Sequence, residues 1–243
     1  MLGAPGEQSV VSFGKISLGL GQQFQLTLMD YFKEYPMAQE IAEQATDLIG
    51  WINNHRKVWK IFDDAQKQVS KDQINRKLIL AYLVANLTQW TTHCTAFIQL
   101  HNDQDALKLA VMQNHTGLVQ AQVGVAKSSE ARHLTEDADS HIKIIQDHTF
   151  WAGLEQVIGD IELICYTTNI NQMDRCCPDS VLRILASIYL HFLDHPEVEV
   201  SVKMTQHIEK CWKAAYQPLF CYVKYLSLSK VFHILETKPI SAV

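Results

Sequence analysis

His133, Asp137 and His141 follow one another at i, i+4 and i+8, a spacing that on a continuous helix puts three metal-ligating groups on one face. The neighbours Glu136, Asp139 and Ser140 support a plainer reading, a solvated polar face, and it is the stronger of the two. A second cluster is basic. His55, Arg56, Lys57 and Lys60 stand beside Trp51 and Trp59, which joins cations able to neutralise phosphate with rings able to stack on bases. Val58 and Trp59 also fit an amphipathic stripe, so the same run can be read as the outer face of a helix. Cys176 and Cys177 are adjacent, a placement that does not suit an ordinary disulfide. There is no C-x-x-C, no G-x-S-x-G and no Gly-rich turn of the kind that cradles phosphate between a strand and a helix. No catalytic residue, cofactor or small-molecule substrate is indicated.

These residues need elements to carry them, and the apolar pattern says which. Ile41, Ala45, Leu48, Ile49 and Ile52 recur at helical spacing, entered at Pro36 and broken at Asn53-Asn54. Val58, Phe62, Ala65 and Val69 form the next face. The dense run from Leu78 to Leu87 fits a buried helix or a buried strand by its pattern, and its leucines and alanines favour helix. Residues 117–139 are polar and rich in small side chains, which predicts a long loop separating two halves. Beyond it, stripes run through Trp151, Leu154, Ile158, Ile161 and Cys165, then Leu182, Leu185, Ala186, Tyr189 and Leu193, then Val198, Val202, Thr205, Ile208 and Trp212. Pro178-Asp179 marks a helix start. No period-two alternation persists, so the expected fold is all-α or nearly so, with antiparallel helices in one or two packed bundles.

The 243 residues are 47% apolar and 19% charged, the composition of a globular protein able to bury a sizeable core. A net charge of −5 gives no global pull toward phosphate, so nucleic-acid contact would need a local basic patch. Five glycines among residues 1–21 suggest a loose tail. No signal-peptide pattern or membrane-spanning run is evident, and the six scattered cysteines suit a reducing compartment. An intracellular location is expected. The sequons at Asn86 and Asn114 then read as chance matches.

Gln22 to Lys33 (QQFQLTLMDYFK), Ile41 to Lys60 with Trp51 and Asn54-His55, and Thr88-Gln89-Trp90 resemble, in that order, the start of the helical insertion of hAT-superfamily transposases. Phe150-Trp151-x-x-Leu154, Asp160 to Asn171, Pro178-Asp179 and Ile208 to Phe220 resemble the rest of that insertion in fungal members. The resemblance spans residues 22–220 and rests on the order of the motifs. It implies a helical domain over residues 22–226, a divergent tail over 227–243 and a nuclear location.

In that family an RNase H-like fold supplies three acidic residues that hold divalent metal and cut DNA, two before the insertion and one after it. Here the lead-in offers only Glu7 and the tail after Phe220 only Glu236, so a chain without nuclease activity is expected. Gly19 and Gln22 stand where the family has a C-x-x-H, and Gln89 stands where it tends to have arginine before its tryptophan. Trp90 is kept, and the resemblance gives it the role of stacking on a flipped base; the plain reading is a core tryptophan. The leading expectation is a transposase-derived, catalytically inactive helical fragment with weak DNA binding through Trp90, Gln89, His55, Arg56, Lys57 and Lys60. Two alternatives stay open: a helical scaffold that self-associates through apolar surface left bare by the missing sheet, and a remnant without selected function.

Overall fold

The computed structural model describes residues 26–69, 90–171 and 178–214; the side chains of 90, 91, 128, 167–171, 178–184 and 212–214 are outside this description. The described residues are nearly all helical and hold no strand. In chain order the helices are α1 (residues 26–34), α2 (Pro36–Asn54), α3 (Arg56–Val69), α4 (Trp90–Asn102), α5 (Gln104–Val123), α6 (Ser128–Gln146), α7 (His148–Asn171), α8 (Pro178–Leu193) and α9 (Val198–Ala214). The expected all-α class is what the chain adopts. The dense run at Leu78–Leu87 and the two tails lie outside the described residues.

The chain forms two compact units, residues 37–159 and residues 1–36 with 160–243. In the first, α5 packs against α3 and α6. Val58, Phe62 and Ala65 of α3, Leu107, Ala110, Val111 and Leu118 of α5, and Ala138, Ile142 and Ile145 of α6 are buried. Asp147 separates α6 from α7 and caps α7, its Oδ1 accepting the Thr149 amide at 2.8 Å and the Thr149 hydroxyl at 2.7 Å; these bonds hold its carboxyl below the usual range. Ile41 of α2 comes so close to Gly153 of α7 that an added Cβ there would lie 3.0 Å from its Cδ1.

The long loop expected at 117–139 is not there. Those residues are the end of α5, a four-residue link and the first half of α6, with Gly124 turning the chain at φ 56°. The polar composition reflects a helix that buries only a narrow line through Ala138, Ile142 and Ile145. The division between units falls at 36/37 and 159/160 instead, within the span expected as one domain.

In the second unit α8 packs against α9. Leu185, Ala186, Ile188 and Phe192 of α8 and Val200, Met204 and Ile208 of α9 are buried, together with Leu28, Tyr31 and Phe32 of α1 and Ile161, Ile164 and Cys165 of α7. Leu185 and Ala186 of the expected α8 stripe are buried, but Leu193 at its end is 49% exposed. The α9 stripe is turned: Ile208 is buried, while Val198 is 74% exposed and Val202 49%, because the Val200, Met204, Ile208 line took the core.

Candidate nucleic-acid interface

The break expected at Asn53-Asn54 is the junction of α2 and α3, where His55 alone connects the helices. His55 Nδ1 lies 2.8 Å from the Trp51 carbonyl oxygen, which can only accept, so the ring donates there and turns Nε2 away. The Trp59 amide donates to the His55 carbonyl at 2.9 Å and opens α3. Burying Val58, Phe62 and Ala65 fixes the rotation of α3, and that rotation leaves Arg56, Lys57 and Lys60 exposed.

The first turn of α3 contains no acidic residue. The nearest carboxylates along the helix, Asp63 and Asp64, are engaged by Lys67, whose ammonium is pushed above its usual value chiefly by its hydrogen bond to Asp63. Arg56, Lys57 and Lys60 make no ion pair with any described residue. Cations at a helix amino end oppose the helix dipole, at a cost of about 0.3–1 kcal/mol each at low salt. An anion placed there would meet both the charges and the amino end of the helix favourably.

The rings beside this patch divide. Trp51 is buried: its indole N–H donates to Gln122 Oε1 at 2.6 Å, and its ring lies between the edge of Phe62 and a stacked His141. It is packing and cannot stack on a base. Trp59 is half-buried. α4 begins at Trp90, whose side chain, like Gln89, lies outside the described residues.

α6 is continuous through His133, Asp137 and His141, so the metal spacing does fall on one helix. Asp137 and His141 are nonetheless committed to other contacts, and His133 is exposed. Asp137 Oδ2 accepts from Gln122 Nε2 at 2.5 Å, and His141 Nδ1 faces the Asp137 carbonyl at 2.8 Å while its ring stacks on Trp51 at 4.9 Å. Among the described residues no group of three or more His, Cys, Asp or Glu is arranged to hold a metal ion. None of the described helices is long and apolar enough to cross a membrane.

A polar cluster in the other unit was not anticipated. Asp160 of α7 is fully buried. Its Oδ2 accepts the Tyr31 hydroxyl at 2.6 Å and His195 Nε2 at 3.2 Å, and its Oδ1 meets His191 Nε2 at 2.9 Å. The Glu197 amide donates to His195 Nδ1 at 3.1 Å, which leaves the proton of a neutral ring on Nε2, facing Asp160. Burial, then the Asp160 charge and hydrogen bond, push the Tyr31 hydroxyl far above its ordinary value, so it remains a donor. The cluster ties α1, α7, α8 and the α8–α9 connection together. A sequence signal existed, since Asp160 falls on the same helix face as Val157, Ile161 and Ile164, at a core position.

No family model, no curated protein and no solved structure matches this chain.

Proposed function

We propose that this chain is a transposase-derived helical module without nuclease activity that binds nucleic acid through the amino end of α3. The observation that carries the reading is the exposure of Arg56, Lys57 and Lys60 together at a helix start, with no described residue pairing any of them. Such a group gains most from the phosphate backbone, which makes binding tolerant of sequence and sensitive to salt. Descent from a transposase rests on the order of motifs from Gln22 to Phe220.

The test is fluorescence anisotropy of a labelled DNA hairpin titrated with the full chain at several salt concentrations. Three phosphate contacts on the stem give a slope of log K against log salt of about −2.7, or about 40-fold weaker binding at 200 mM than at 50 mM. Arg56→Glu, Lys57→Glu and Lys60→Glu together abolish the binding. Trp90→Ala, run in parallel, costs about 1–3 kcal/mol where the ring stacks on a base. Binding unchanged by the triple substitution overturns the interface, and magnesium-dependent nicking by the chain overturns its assignment as inactive.

A further inference from the structure

His55 stands where two helix ends of opposite polarity meet. Trp51 carries one of the last four carbonyls of α2, which lie beyond the reach of that helix's own amides, and the His55 ring caps it through Nδ1 at 2.8 Å. A cation is welcome there, because the carboxyl end of a helix bears partial negative charge. The ring is partly exposed, and among the described residues that carbonyl is its one polar contact.

The proton held on Nδ1 fixes what Nε2 can do. In the neutral ring Nε2 is an acceptor and has nothing to offer a phosphate oxygen, which also only accepts. In the protonated ring both nitrogens donate. Nδ1 keeps the Trp51 carbonyl, and Nε2 becomes a charged donor beside Arg56 and Lys57. The charged groups around the ring are few. α3 brings Arg56, Lys57 and Lys60, all exposed, and the last turn of α2 brings none. α6 approaches through Trp51, on whose ring His141 stacks, and Asp137 on that helix is engaged by Gln122. His55 is in no ion pair with a described residue. A phosphate held by Arg56, Lys57 and Lys60 would add negative charge beside Nε2, and binding would then draw a proton onto the ring.

We propose that His55 is a fourth, proton-dependent phosphate contact, so that nucleic-acid binding at the start of α3 tightens as the pH falls through the range in which imidazoles titrate. The inference rests on the nucleic-acid reading above and adds its regulation by pH. Its sign follows from linkage. The bound state holds one more proton than the free state, so the binding constant falls as pH rises, by at most about tenfold per pH unit for a single proton.

The labelled hairpin, titrated with the full chain at about pH 6 and about pH 8.5, on either side of the imidazole range, tests it. Wild type should bind at least about tenfold tighter at the lower pH. The slope of log K against log salt should steepen from about −2.7, three contacts, to about −3.6, four. His55→Asn keeps a donor for the Trp51 carbonyl and has no titrating nitrogen; it should bind equally at both pH values, with the alkaline affinity and slope of wild type. His55→Lys is charged throughout and should bind at the higher pH as tightly as wild type does at the lower. A wild-type affinity indifferent to pH, or a pH response that His55→Asn retains, overturns the proposal and leaves the three-cation interface standing. Binding unchanged by reversal of Arg56, Lys57 and Lys60 together overturns both.

Discussion

The amino end of α3 and the surroundings of Asp160 use polar residues in opposite ways. At α3 three cations gather where the helix disfavours them, and the carboxylates nearest along the helix are held by Lys67. Around Asp160 a tyrosine and two histidines converge on one carboxylate, with distances from 2.6 to 3.2 Å. The first set is incomplete and faces water; the second is completed inside the protein. A buried polar group stabilises a fold only when its partners are present. A surface charge without a partner adds little to the fold and is available for binding. The chemistry of a residue type thus says less about its role than whether its partners lie within the same molecule.

Removing the centre of the buried set has the largest expected effect. Asp160→Ala leaves the Tyr31 hydroxyl and the two imidazoles without their acceptor; with each hydrogen bond to a charged group contributing about 1.5–3 kcal/mol, the loss of all three exceeds that of any one of them. Urea denaturation followed by circular dichroism reads the loss; a change below about 1 kcal/mol, the worth of an ordinary hydrogen bond, would break the comparison. Tyr31→Phe removes one donor and keeps the ring, for about 1.5–3 kcal/mol, the range for hydrogen bonds to charged groups. It also changes the response to alkali. In the unfolded chain Tyr31 ionises near its ordinary value of 10.0, whereas in the fold its proton is retained well beyond that. The unfolded state therefore binds fewer protons above pH 10, and stability falls as pH rises through that value. Below it the contribution is constant. The alkaline loss should be shallower in Tyr31→Phe, with a remainder from Tyr35 and Tyr189, which burial also pushes up.

Helix type and several ends were legible because they depend on neighbours in sequence. Pro36 opens α2, Asn53-Asn54 close it and Pro178 opens α8, each by local backbone chemistry. The phase of α9 was not. Val198-Glu199-Val200-Ser201-Val202 places apolar residues at alternate positions, so two helix faces compete and only the packing partner α8 decides between them. The first half of α6 fell within the span read as loop because one thin apolar line sufficed to bury the helix. The Asp160 cluster joins residues 129 and 31 positions apart, which a single sequence cannot bring together. At the basic site the exposure of Arg56, Lys57 and Lys60 could be read from the stripe beneath them. The burial of Trp51 depends on Gln122 and His141 of distant helices, and so could not.

The smallest expected effect has the opposite sign. Arg56→Glu and Lys57→Glu place anions in the first turn of α3, where the dipole favours them, and each substitution should raise stability by up to about 0.3–1 kcal/mol at low salt. The same substitutions remove the positive charges available to phosphate, so DNA binding should fall while the melting temperature rises. A side chain retained only for folding cannot give that pairing, because its loss would lower stability or leave it unchanged. Raising the salt sharpens the distinction: the stability gain shrinks as the dipole term is screened, and wild-type binding weakens for the same reason. A drop in stability on reversal of Arg56 or Lys57 would mean that these cations have partners inside the protein after all, and α3 would then join Asp160 as part of the fold's own support.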